Sequence, residues 1–201
     1  MKTSQKGIDL IKHFESLHDG DLTLIGLQPK LCPANYWTEG YGSLVLDDKG
    51  KRIKGCENKA MAYKFSKIST IEQAEEKLNT VLKLYESKIN DLIFSFALNV
   101  NQNQFDAVIS FCYNLGLANF KNSTLLKKIQ EVPQSMEDIK YQFSRWNKVG
   151  DKVLHGLVLR RAAEAELFSS APSILNNMSD NIKDLEPEFS KTVDENFWEL
   201  I

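Results

Sequence analysis

From Thr70 to Phe96 the chain reads TIEQAEEKLNTVLKLYESKINDLIFSF, without a glycine or a proline. Those two residues are the strongest helix breakers, so the run predicts one helix of more than about twenty residues. Thr70 and Gln73 have the spacing of a capping box that would start it. The flanking segments differ in character. Across 18–56, Asp19, Gly20, Gly26, Pro29, Pro33, Gly40, Gly42 and Gly50 punctuate short runs such as LTLIGL, YWTEGYG and SLVL. That pattern predicts a small antiparallel sheet with turns at DGD and DDKGK. Beyond the long run, the remainder to Ser170 reads as helical. Asn101 and Gln104 cap a stripe of Phe105, Val108, Ile109, Cys112 and Tyr113; Asn122, Ser123 and Thr124 offer another start. Met136, Ile139, Phe143 and Trp146 mark a further face, and Leu154, Leu157, Val158, Ala165 and Phe168 a last one. The expected fold class is α+β and predominantly α-helical, with a small antiparallel sheet lobe and a helical lobe joined by the long helix.

Composition excludes several functions. A formal charge of −2 argues against a dedicated nucleic-acid binder. Cys32, Cys56 and Cys112 show no CxxC spacing, so no zinc site is expected, and at most one pair could close. Lys2 and Lys6 are not followed by an apolar stretch, so no signal peptide is read and no stable membrane insertion is expected. Synthesis in the cytoplasm follows as an expectation. The chain divides into a domain over 1–170 and an acidic extension over 171–201. From Pro172 onward the charge is −5, which leaves the body at +3, a sign that suits an anionic polymer. The extension reads as loosely ordered, with FWELI docking on the body, or as a partner-binding peptide.

In the first helix, opened by Ser4, the apolar residues Ile8, Leu10, Ile11, Phe14 and Leu17 cover one half. Glu15 falls inside that half, about 20° from Ile8 and about 40° from Ile11. A carboxyl facing the protein is a candidate proton donor. The plainer alternative is a frayed helix end, paired with Lys12 or solvated.

Four segments, in order, carry a resemblance: SQKGIDLIKHFE (4–15), CPANYWTEGYG (32–42), NQFDAVISFCYNLGLANFKNSTLLKKI (103–129) and FSRWNKVGDKVLHGLVLRRAAEAELF (143–168). Together they resemble the bacteriophage-type lysozymes of glycoside hydrolase family 24, and most of all the endolysins of tailed phages and prophages. The resemblance covers about 1–170 and not the extension. It implies a muramidase cleaving the β-1,4 bond between N-acetylmuramic acid and N-acetylglucosamine, with a cleft between two lobes. Peptidoglycan glycan strands are the implied partner, with no cofactor, a monomeric state, and action at the cell wall after release. Glu15, Cys32 and Thr38 match the family's catalytic pattern by type, Glu15 as acid and the other two as holders of the attacking water. Tyr113 and Asn114 correspond to positions that line the sugar cleft, although Tyr113 also fits the core stripe.

Arg161 lies central on the last helical stripe, where its guanidinium needs an anion; Glu15 is the expected one. Arg160 reads as off the stripe, in a surface pair with Glu164, and stays a second candidate. Trp37 and Trp146 are possible sugar stackers, Trp146 fitting the core better, and His13, His18 and His155 have no ligand spacing.

The chain departs from the family pattern. Sixteen residues, Ser16 to Leu31, separate Glu15 from Cys32 where the family usually has about eight, and this insertion could bring Asp19 or Asp21 into the role of Cys32. Glu39 follows Thr38, and Ser43 stands where a histidine is usual. A thiol is also a weaker neutral-pH base than a carboxylate. A catalytically inactive wall-binding module and a tail-associated or delivered muramidase are the alternatives to an endolysin.

Overall fold

The computed structural model describes residues 1–21, 23–32 and 34–171, and Met1–Ser170 forms one compact unit. The extension from Pro172 onward lies outside the described residues. Helix α1 spans Gln5–Glu15, with Ser4 as N-cap accepting from the Gly7 amide. It docks on α4, Gln102–Leu115, through Asp106, whose carboxylate accepts from the Ser4 amide at 3.0 Å and from the Ser4 hydroxyl. Gly7 lies against the same carboxylate: a Cβ there would come within 2.9 Å of the Asp106 side chain. Only glycine lets α1 approach this closely.

The small lobe is a three-stranded antiparallel sheet of β1 (Lys30–Leu31), β2 (Trp37–Glu39) and β3 (Ser43–Leu44). Lys30 pairs with Thr38, Leu31 with Trp37, and Glu39 with Ser43. DDKGK forms the expected turn, with the Asp47 carboxylate accepting from the Lys49 and Lys51 amides. Trp37, Val45, Ile53 and Ala62 form this lobe's own core. Ala62 comes from α2, Lys59–Phe65, a short helix that the punctuation pattern does not announce.

The long run is α3, Ile71–Ser95, with both halves of the Thr70–Gln73 capping box formed. Ala74, Leu78, Leu82 and Ile89 lie on one stripe, buried in the helical lobe's core. In α4 every residue from Asn103 to Cys112 is buried, so this helix is surrounded by its neighbours. Helices α5 (Leu117–Lys121), α6 (Thr124–Gln130), α7 (Met136–Ser144) and α8 (His155–Ser169) complete the lobe, with α8 packed on α4 and α7. Phe111 anchors an aromatic cluster, meeting Phe120, Phe143 and Trp146 edge-on with centroids 5.6–6.1 Å apart.

Two expectations are corrected. The region after α7 is not wholly helical: Lys148–Val149 (β4) and Lys152–Val153 (β5) form a hairpin around Gly150. The stripe read through α8 is also displaced, because Leu154 and Val158 are exposed. The buried residues are Arg160, Arg161, Glu164, Ala165, Leu167 and Phe168. Charged pairs occupy the inner face, which a search for apolar periodicity cannot register. Urea unfolding should therefore separate two truncations. Phe143→Ala should cost about 3–5 kcal/mol, while Leu154→Ala should stay within about 0.5 kcal/mol of the parent.

Candidate active site

Glu15 is the last residue of α1, and the chain turns away at Ser16 in a left-handed conformation, φ 55°. Glu15 Oε1 accepts from Arg160 Nη1 at 2.6 Å. The Arg160 side chain is 3% exposed and that of Glu15 17%, so this ion pair is largely withdrawn from water. Oε2 faces Gly42, where an added Cβ would lie 2.8 Å from it. Gly42 also has φ +82°, so both the backbone and the space beside Glu15 require glycine there. The carboxylate on α1 is thereby placed against the turn that follows β2.

Thr38 lies on β2, buried, with its hydroxyl 2.7 Å from His18 Nδ1 and 3.0 Å from the Lys30 carbonyl. His18 reaches this point because its backbone bridges to Gly40, the His18 amide donating to the Gly40 carbonyl at 2.8 Å. Burial holds the imidazole below the usual histidine value, against the pull of the Glu15 charge. Cys32 lies one residue beyond β1, its amide donating to the Tyr36 carbonyl at 2.8 Å. The register puts Cys32 on the same sheet face as Lys30 and Thr38, opposite to the face of Leu31 and Trp37. Its thiol is free and half-buried.

Behind Glu15 lies an ionic cluster. Glu164 is fully buried, and its Oε1 accepts from Ser110 Oγ at 2.8 Å and from Arg160 Nε and Arg161 Nη2 at 3.1 Å each. Arg160 Nη2 donates to the Ser110 carbonyl at 3.2 Å, and Arg161 Nη2 to Asn114 Oδ1 at 3.0 Å. Arg161 Nε, Arg161 Nη1 and Glu164 Oε2 have no hydrogen-bond partner. Burial pushes the Glu164 carboxyl up despite two guanidinia and lowers the Arg161 guanidinium to about 10. For both partners desolvation outweighs the mutual attraction. Among the described residues, no cluster of three or more His, Cys, Asp or Glu side chains is placed to hold a metal ion.

The model of the phage lysozyme family matches residues 24–164. The chain belongs to the phage lysozyme family. It is 36% identical over 174 residues to an endolysin of Bacillus phage PZA, covering 85% of this chain and 56% of that protein. It is 32% identical over 192 residues to an endolysin of Bacillus phage B103, covering 96% of this chain and 62% of that one. The chain thus spans only a little over half the length of these two relatives. Among solved structures, the muramidase domain of SpmX from Asticaccaulis excentricus superposes with a TM-score of 0.61 at 28% identity, covering 85% of this chain and 99% of that domain. This likeness agrees with the expected two-lobed, mainly helical fold with a small sheet.

Within this phage lysozyme fold, the arginine assignment is corrected. Arg160, read as a surface residue, is buried and holds Glu15, whereas Arg161 turns to Glu164 and Asn114 and stacks on Phe111. The two are adjacent in sequence and both lie on the inner face, so helical phase alone does not separate them. The Tyr113 hydroxyl donates to the Tyr41 carbonyl at 2.6 Å, joining α4 to the turn beside Glu15. Burial raises this phenol well above its usual value.

Asp19 accepts from the Asp21 and Gln28 amides, and Asp21 from the Thr23 amide and hydroxyl, so both carboxylates brace the inserted loop. The Glu39 carboxylate accepts from Ser66 Oγ and the Lys67 amide at 2.8 Å, which braces the approach to α3. Trp37 is buried, with Nε1 donating to the Gly55 carbonyl, so it has no exposed ring face for sugar stacking; Trp146 is half-buried and packs edge-on against Phe111. His18, Ser110 and Glu164 were not singled out for the site; the i,i+4 spacing of Arg160 and Glu164 was visible, but not its burial. Glu164→Gln should lower stability by about 3–5 kcal/mol, because buried Arg161 loses its ion-pair partner and Arg160 keeps only Glu15. Thermal and denaturant unfolding check this.

Proposed function

We propose that residues 1–170 form a peptidoglycan N-acetylmuramidase that hydrolyses the β-1,4 bond to N-acetylglucosamine with inversion, and that 171–201 is an acidic extension of it. The observation that carries this reading is the Glu15 carboxylate, gripped at Oε1 by a buried arginine and with Oε2 against the turn after Thr38. Glu15 donates its proton to the glycosidic oxygen as that bond breaks. Cys32 and Thr38, sharing one sheet face, hold the water that attacks the anomeric carbon from the other side. Arg160 meets the carboxylate charge that appears on Glu15 once its proton has gone. Asn114, fixed by Arg161, and the ring of Tyr113 line the sugar path.

The domain works as a monomer on glycan strands at the bacterial wall after its release. No helix among the described residues is long and apolar enough to cross a membrane. The match to the phage lysozyme family and the endolysin relatives do not favour an inactive wall-binding module.

Turbidity clearance of purified cell walls tests the assignment. Glu15→Gln should fold and lose lysis by about 10²–10⁴-fold, and wild-type lysis by this variant would remove Glu15 from the acid role. Cys32→Asp should retain or raise activity, and Cys32→Ala should lose much of it. Asp19→Asn and Asp21→Asn should change little. Full activity in Cys32→Ala with collapse in either Asn variant would move the role into the inserted loop.

A further inference from the structure

We infer that His18 is the positioning residue of the water-holding side: its Nδ1 takes the Thr38 hydroxyl proton, so that Thr38 can receive the proton of the attacking water. This rests on the proposed role of Thr38. The carrying observation is geometric. Thr38 Oγ1 has two neighbours, His18 Nδ1 at 2.7 Å and the Lys30 carbonyl at 3.0 Å, and only one proton to give. With the imidazole neutral and its proton on Nε2, the hydroxyl proton points to Nδ1, the shorter contact. With Nδ1 protonated, the ring donates to Oγ1 and the hydroxyl turns to the Lys30 carbonyl. In both states the Thr38 hydroxyl and Nδ1 keep a partner in the folded chain, which is what a reversible acceptor needs.

The chemistry calls for such an acceptor. The water must lose a proton as it bonds to the anomeric carbon, and a neutral thiol at Cys32 is a poor base. In the step, the water oxygen bonds to that carbon while its bond to the leaving oxygen breaks. Glu15 protonates the leaving oxygen; a water proton passes to Thr38, and the Thr38 proton to Nδ1. Glu15 gains a negative charge as His18 gains a positive one, so the two charges that develop are of opposite sign. Glu15 at the end of α1 and Lys30 on β1 are the charged groups that act on the ring, Glu15 favouring its protonation and Lys30 opposing it. A base must be unprotonated, so activity falls as pH drops through the histidine's range.

The test is kcat/KM against pH for the full chain on purified peptidoglycan. Wild type should show an acid limb below the usual histidine value of 6.5. His18→Asn places an amide where Nδ1 stands, keeps a hydrogen bond to Thr38 and takes no proton. It should lose about 10²-fold in kcat with KM little changed, and lose that limb. His18→Asn with wild-type kcat and an unaltered limb would overturn the inference. If Thr38→Ala is fully active while Glu15→Gln is dead, the water-holding reading itself fails and the role of His18 falls with it. Should His18→Asn not fold, ¹⁵N NMR of the wild-type imidazole decides. An unprotonated Nδ1 near pH 7.5 supports the role, and a protonated Nδ1 there contradicts it.

Discussion

One buried carboxylate organises the helical lobe. Glu164 receives two guanidinia from its own helix, α8, and the Ser110 hydroxyl from α4, and Arg160 then reaches on to Glu15 at the end of α1. Three helices therefore meet through charge at the point where the chemistry is proposed. The arrangement is a poor source of net stability. Burial works against both Glu164 and Arg161, and three of their polar atoms lack partners. What it supplies is direction. A guanidinium held on several sides cannot swing away from Glu15, so the carboxylate keeps one orientation without help from substrate.

The small lobe meets this helical frame through short, specific contacts. Gly42 lets the turn after β2 lie against Glu15 Oε2, and the Tyr113 hydroxyl fastens Tyr41 in the same turn to α4. On the other side, the inserted segment folds back on itself. The Asp19 and Asp21 carboxylates serve its own turns, and the Leu27 amide donates to the Ser69 carbonyl at 2.9 Å, just before α3. Gly26 makes that approach possible, since a Cβ there would come within 2.7 Å of the same carbonyl. The short spacing from Cys32 to Thr38 is preserved as one strand-turn-strand unit, with the added residues accommodated before it.

The parts of the fold that follow local rules were legible in the sequence. The capping boxes at Thr70 and Asn101 start α3 and α4 where their spacing predicts, and the Asp47 turn forms as DDKGK implies. Glu15 was legible as an inward-facing carboxyl, because helical phase is a one-dimensional property. What failed depends on contacts distant in sequence. Arg160 and Arg161 share one face of α8, and only the positions of α1 and α4 decide that Arg160 takes Glu15. Leu154 and Val158 satisfy an apolar period, yet the charged residues beyond them fill the interior. His18 has no metal-like spacing, and its link to Thr38 appears only when the strand carrying Thr38 folds beside it.

The proposed chemistry needs an acid and a held water acting from opposite faces of one glycosidic bond. Proton NMR of the first product released from β-linked glycan, recorded before mutarotation, reads this directly. The α-anomer is the predicted first product. A β-anomer would mean retention of configuration, and a water held by Cys32 and Thr38 could not be the nucleophile.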